Sequence, residues 1–334
     1  MVLLAGTKQK THPDRVLGGQ TYRKLLNGGW DFNNSIHTRS GIHSIHPYPA
    51  KFIPEIPRKL IEILGPPKGS IIFDPFCGSG TTLTEAQNCG YESVGVDLNP
   101  IARLISTVKT KPLSKLFSTH ALRCYEAALK IQRNPPNNIP NLSHWFKPEI
   151  SASIQAVRAA INISPSESKD ALLLALSSII VRVSNQESDT RYAAIDKKIC
   201  QSQVFDLFWA ACNRIKGALS NTSELPKATV IEKDILKVLP QEIPGSVGLV
   251  ITSPPYPNAY EYWLYHKYRM WWLGFDPLKV KSQEIGARAH FFSGKEKAGD
   301  FYFQMESVFE LLSKVCAPKS FVCFIVRDSK QATS

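Results

Sequence analysis

Paired cysteines are the first thing this sequence lacks. Its seven cysteines (Cys77, Cys89, Cys124, Cys200, Cys212, Cys316 and Cys323) are odd in number and widely spaced, and no C-x-x-C occurs. That argues against a disulfide framework and against a zinc site, and it fits a reducing cytosol. Long apolar runs are also missing. The longest, Ala171 to Val181, spans eleven residues and contains Ser177 and Ser178, whereas a bilayer span needs about twenty. The apolar start, Met1 to Gly6, gives way to Lys8 and Lys10 and is too short for a signal peptide. A soluble, cytoplasmic protein with no membrane partner is expected. Acid is scarce as well: 28 Asp and Glu stand against 40 Lys and Arg, a net charge of +12. A polyanionic partner is consistent with that excess, because each phosphate a protein neutralises releases a condensed counterion. Repeats and low-complexity tracts are absent, and 43% hydrophobic with 20% charged residues excludes wholesale disorder.

The 334 residues allow one large domain, or a core with a substantial insertion. Residues 1–45 are polar and basic and read as an N-terminal arm. Ile53 to Leu64 has helical spacing and stops at Gly65-Pro66-Pro67. Ser70 to Phe76 reads as a buried strand, Thr81 to Asn88 as a helix, Tyr91 to Leu98 as a second strand, and Asn99 to Thr107 as the next helix. From 113 to 224 the pattern is almost wholly helical. Strand signals return at Thr229 to Glu232, Gly248 to Thr252 and Ser320 to Val326. This alternation predicts an α/β fold with a mostly parallel sheet, formed by 46–112 and 225–334, with 113–224 as a helical insertion. Ligands of such sheets bind beyond the carboxyl ends of the strands, so the loops after strands are where chemistry is expected.

The first such loop reads Asp74-Pro-Phe-Cys-Gly-Ser-Gly-Thr-Thr82. Gly78 and Gly80 permit a sharp turn into a helix and a close backbone approach to a ligand. A dinucleotide turn is the obvious alternative, but its third glycine position is Leu83 and the strand ends in an acid. Asp74 repels a pyrophosphate and suits an ammonium group. Asp97, at the end of the next strand, suits ribose hydroxyls. A ligand with an amino-acid end and a nucleoside end satisfies both, and S-adenosylmethionine is one. The nine-residue motif resembles the cofactor motif of the amino-methylating DNA methyltransferases. The segment His46-Pro-Tyr-Pro-Ala-Lys-Phe52 resembles the stretch that precedes it in that family and packs against the methionine end. The resemblance implies a Rossmann-like methyltransferase fold with S-adenosylmethionine held by Phe52, Asp74, Pro75, Phe76, Gly78, Gly80, Thr81 and Asp97. It also implies that Asp234, after the third strand, contacts the adenine. No metal is implied.

The second loop is Thr252-Ser-Pro-Pro-Tyr256. Two prolines fix the backbone and remove two N–H donors, so the loop presents acceptors: the Ser253 hydroxyl oxygen and the carbonyls of Ser253 and Pro254. The exocyclic amine of a base is a poor nucleophile because its lone pair is delocalised into the ring. Acceptors that hold its hydrogens draw it toward a tetrahedral geometry, which is catalysis by positioning and electrostatics. The resemblance assigns the catalytic set Ser253, Pro254, Pro255 and Tyr256, with Tyr256 offering a face to the target base. Serine at this position is typical of cytosine-N4 enzymes, whereas Asn or Asp is more usual for adenine-N6 enzymes. A C5-cytosine enzyme needs a Pro-Cys nucleophile, and no cysteine here follows a proline. The expected substrate is double-stranded DNA, modified at a specific site on a flipped base in restriction-modification or DNA protection. The alternatives are an adenine-N6 enzyme, an RNA methyltransferase, and a split subunit that binds DNA without catalysis.

Further expectations are less specific. Tyr260, Tyr262, Trp263, Tyr265, Tyr268, Trp271 and Trp272 crowd one segment, which suits core packing for most and a stacking platform for some. Lys267, Arg269, Lys279 and Lys281 suit phosphates or a solvated face. The polar stretch Ser184 to Tyr192 suits a target pocket or the reading of DNA. The cofactor motif precedes the catalytic one, the reverse of many enzymes with these spellings, as in a circular permutant. A complete sheet of this class has a further C-terminal strand pair that the sequence does not show, which raises the expectation of a second polypeptide.

Overall fold

A computed structural model describes residues 2–5, 19–32, 41–136, 138–189, 191–220, 225–257, 261–288, 290 and 298–326. Tyr260 and the segment Arg327-Asp328-Ser329 lie outside them. In chain order the elements are β1 (Val2–Ala5), α1 (Gly19–Leu26), α2 (Glu55–Leu64), β2 (Ile71–Asp74), α3 (Thr81–Asn88), β3 (Ser93–Asp97), α4 (Pro100–Thr110), α5 (Phe117–Lys130), α6 (Leu142–Trp145), α7 (Pro148–Asn162), α8 (Ser166–Ile179), α9 (Gln201–Leu219), β4 (Ala228–Glu232), β5 (Val247–Thr252), α10 (Tyr262–Leu273), α11 (Pro277–Gln283), α12 (Ala298–Val315) and β6 (Cys316–Phe324).

Five strands are parallel neighbours in the order β6-β5-β2-β3-β4. β2, β3 and β5 are each followed by an α-helix, the arrangement that buries both faces of a sheet. Alternation along the strands divides the core. Phe73, Val94, Val96 and Val250 face one layer with Val308, Leu311 and Leu312 of α12. Ile72, Leu249, Ile251 and Cys323 face the other layer with Leu60, Ile61 and Leu64 of α2 and Ala86 of α3. At the edge, β6 is irregular at its start: the register shifts between Cys316 and Phe321, and Lys319 sits at φ +65°.

The N-terminal region departs from the expected irregular arm. Val2–Ala5 pairs antiparallel with β6, Val2 against Phe324 and Ala5 against Phe321. α1 buries Leu25 beside Leu60 and Ile61. The apolar run Val2-Leu3-Leu4-Ala5 satisfies the open backbone of β6, which an edge strand otherwise exposes. An antiparallel edge strand, sought after β6, therefore comes from the start of the chain.

Helices α5 to α9 pack with α4 and α10 in one apolar cluster that includes Leu104, Ile154, Leu172, Phe208 and Met270. Leu172, Leu174, Ala175, Leu176 and Ile179 of α8 are all fully buried, which accounts for a helix apolar nearly all round.

Candidate active site

The two loops read from the sequence meet. β2 and β5 are adjacent and parallel, so the loops after them leave the same edge of the sheet. The Thr252 hydroxyl donates to Asp74 Oδ1 at 2.6 Å, and the Thr82 hydroxyl donates to the Ile251 carbonyl at 3.4 Å. Residues 178 apart in sequence are thus locked by one buried hydrogen bond. Above them opens a cleft of about 960 Å³, solvent at its mouth included. Phe52, Asp74, Pro75, Phe76, Gly78, Thr81, Asp97, Asp234, Ser253 and Pro255 all line it.

The Gly-rich turn is held from below. Gly78 adopts φ +48°, and a Cβ there would lie 3.3 Å from the Tyr48 hydroxyl. Its N–H donates to Asp97 Oδ2 at 2.9 Å, and Asn99 N–H donates to Oδ1 at 2.8 Å. Lys109, buried in α4, donates to the Ser79 carbonyl at 2.8 Å, and burial lowers its pKa to about 7. Gly80 serves packing: at φ +73° its missing Cβ makes room for Ser106, whose Cβ is 2.6 Å from where a Cβ would be.

Asp74 is buried and Asp97 is half-buried. Burial pushes Asp74 up to about 6, while hydrogen bonds from Thr252, Thr82 and Phe76 N–H pull it back. Asp97 is likewise pushed up to about 6 by burial, against the Asn99 and Gly78 N–H groups, with Asp74 adding repulsion. Each acid is therefore short of positive partners. The Thr81 hydroxyl, also in the wall, is buried and has no hydrogen-bond partner among the described residues. An ammonium group against Asp74 and a diol against Asp97 fit this shortage. Negative phosphates do not. Asp234 faces the cleft after β4, where its carboxylate also caps the next turn at Leu236 N–H, 3.1 Å away, and meets Lys237 at 3.2 Å.

Comparison with known proteins agrees with this chemistry. A family model described as DNA methylase, of the N6/N4 type, matches residues 6–106. That segment is similar to the N6/N4 DNA methylases. The chain is 29% identical over 248 residues to the type II methyltransferase M.MvaI of Kocuria varians, which covers 67% of this chain and 55% of that protein. It is 27% identical over 298 residues to the type II methyltransferase M.BsoBI of Geobacillus stearothermophilus, covering 78% and 57%. A shorter match, 44% over 68 residues, links it to the type II methyltransferase M.MjaII of Methanocaldococcus jannaschii and covers 20% of the chain and 13% of the relative. The chain spans little more than half the length of the first two relatives. Nothing in the comparisons supports a second polypeptide.

Not every residue expected in the methylase site faces the cleft. Gly80 lies below it, Pro254 is buried, and the Tyr256 hydroxyl donates to the Ile325 carbonyl at 3.2 Å. The aromatic segment divides as its helical spacing suggests. Trp263, Tyr268 and Trp272 are core residues, while Tyr262 faces the cleft and stacks on Tyr48 with centroids 5.9 Å apart. Arg269 meets neither phosphate nor solvent. It is buried, donates to the carbonyls of Ser177 and Tyr265 at 3.1 Å, and pairs with Asp189. The polar stretch around Asp189 is thereby anchored to α10 instead of being free to line a pocket. Lys267 lies over Tyr192, Tyr268 and Trp271 at 4.7–5.4 Å, the separation of cation–π contacts.

Several cleft residues carried no assigned role in the sequence reading, among them Tyr48, Lys51, Tyr262 and Glu284. Tyr48 and Lys51 lie inside the His46–Phe52 segment, which was a usable signal. Tyr262 was one aromatic among seven. Glu284 had no motif around it at all.

Proposed function

We propose that this chain transfers the methyl group of S-adenosylmethionine to the exocyclic amine of a base flipped from double-stranded DNA, and that the base is cytosine, modified at N4. The observation that carries the reading is the shared cleft: the electron-rich Asp74–Asp97 wall and the Ser253 turn open on one volume. When bound, S-adenosylmethionine supplies an electrophilic methyl on a sulfonium.

The chain's own residues supply the rest. Asp74 takes the ammonium end, Asp97 the ribose and Asp234 the adenine edge. Thr81 contributes its unpaired hydroxyl, and Phe52, Pro75 and Phe76 contribute apolar wall. The Ser253 hydroxyl oxygen and the carbonyls of the Ser-Pro-Pro turn accept from the two amine hydrogens of the base. That localises the nitrogen lone pair and aims it into the cleft. The Thr252–Asp74 hydrogen bond keeps these acceptors at a fixed distance from the cofactor wall. Base extrusion costs a few kcal/mol, offset by stacking and by contacts in the pocket, and the +12 net charge supports a phosphate-rich partner. Serine at position 253 supports cytosine over adenine by family resemblance, and the type II relatives support a place in restriction-modification.

Nucleoside mass spectrometry of DNA from cells expressing the chain tests this. N4-methylcytosine, absent with Ser253→Ala, is the expected result. N6-methyladenine would overturn the choice of base. Label from the cofactor found only in tRNA or rRNA would overturn DNA as substrate.

A further inference from the structure

Glu284 belongs to neither motif loop, yet it lines the same cleft as Gly78 and Asp97. One carboxyl oxygen accepts from Tyr262 N–H and the other from Trp263 N–H, each at 2.8 Å. These are first-turn donors of α10 with no acceptor inside the helix, so the side chain is held at two points. Two residues on, Gly286 at φ +70° brings the backbone against Pro257: a Cβ there would sit 3.3 Å from Pro257 Cα. Glu284 is thus fixed between α10 and the turn that carries Ser253.

The titratable groups around this carboxyl are Asp97 from β3, Tyr48 from the segment before α2, and Glu261 and Tyr262 at the start of α10. Burial, with the two acids adding repulsion, raises Glu284 to about 8, so it keeps its proton at neutral pH. A protonated carboxyl is a donor as well as an acceptor. Asp97 is different. Both its oxygens already hold a backbone N–H, and ionised it can only accept. A ribose diol needs both kinds of partner, acceptors for its hydroxyl hydrogens and a donor to its oxygens.

We propose that Glu284 is a second ribose-binding residue of this cleft, donating to a hydroxyl oxygen of the diol whose hydrogens Asp97 accepts. The proposal rests on the cofactor reading above. It assigns to the segment after the Ser253 turn a direct hold on the cofactor.

Calorimetric titration with S-adenosylhomocysteine and its 2′-deoxy and 3′-deoxy analogues tests it at pH 7. Glu284→Ala is expected to weaken S-adenosylhomocysteine about three- to tenfold, the worth of one hydrogen bond, and to leave one of the two deoxy analogues unchanged. An equal loss for all three ligands would mean that Glu284 only caps α10, and would overturn the proposal. A second measurement needs no cavity-making variant. In the unaltered chain, discrimination against that same deoxy analogue is expected to fade between pH 7 and pH 9 as Glu284 ionises, and in Glu284→Gln to persist. Constant discrimination across that range in the unaltered chain would also overturn it. If the unaltered chain binds no S-adenosylhomocysteine at pH 7, the cofactor reading itself falls and takes this proposal with it.

Discussion

Replacing Asp74 by asparagine should make the ligand-free protein more stable while removing its hold on the cofactor. Asp74 is 3% exposed, and its carboxyl is pushed up to about 6 by burial, against about 3.9 for an unperturbed aspartate. Between those two values the folded chain holds a proton that the unfolded chain releases. Stability therefore falls as pH rises from about 4 to about 6 and stays low above. Two units at about 1.4 kcal/mol each put the cost of the ionised carboxylate near 3 kcal/mol at pH 7.5. Asparagine preserves shape, and its Oδ1 still accepts from the Thr252 hydroxyl and from Phe76 N–H, which are 2.6 and 3.1 Å from Asp74 Oδ1. Asp74→Asn should thus gain up to about 3 kcal/mol at pH 7.5, roughly a 5 °C rise in melting temperature for a domain of this size, and little or nothing near pH 4. S-adenosylhomocysteine at about a hundred times its dissociation constant should add about 2.7 kcal/mol to the unaltered protein and nothing to the variant. Differential scanning calorimetry at both pH values, with and without ligand, reads all four numbers. A variant that melts lower at pH 7.5, or gains equally at pH 4, would refute the argument that this acid is stored at a cost for a cationic ligand.

Three other outcomes follow from the geometry. Ser253→Ala should cut methyl transfer to DNA by about a hundredfold or more, the usual scale for one preorganised polar partner, while calorimetry shows cofactor binding intact; unchanged turnover sinks the role. Gly80→Ala should lower stability by about 2–4 kcal/mol, because it adds left-handed strain and drives a methyl into Ser106, 2.6 Å away; a denaturant melt of normal midpoint would show that α4 moves aside freely. Arg58→Met should cost about 3 kcal/mol, since it leaves the fully buried Glu85 carboxylate without its guanidinium and with a hydrogen bond to His43, whose pKa burial lowers; thermal melts check this, and no loss would mean that water replaces the guanidinium.

The sheet was legible because its central strands are short apolar runs, with β2, β3 and β4 ending in acids and β5 in Thr252, and each predicted strand overlaps an observed one. The same strand ends carried most of the site, since a loop after a parallel strand faces the ligand edge by construction. What stayed hidden depends on tertiary pairing. Val2–Ala5 is too short to read as a strand until β6 offers it a backbone edge. Arg269 looked like a surface cation because nothing in its neighbourhood names Asp189, eighty residues earlier. Gly80 and Gly78 look alike in sequence, yet one accommodates a neighbouring helix and the other faces the cleft. Glu284 was unreadable for a similar reason: its partners are backbone N–H groups, and those carry no residue signature.

The hydrogen bond from Thr252 to Asp74 joins neighbouring strands, so the distance between the Asp74 wall and the Ser253 turn is set by strand spacing. The helices α5 to α9, looped out between α4 and β4, can vary in length at their exposed connections without altering that strand spacing.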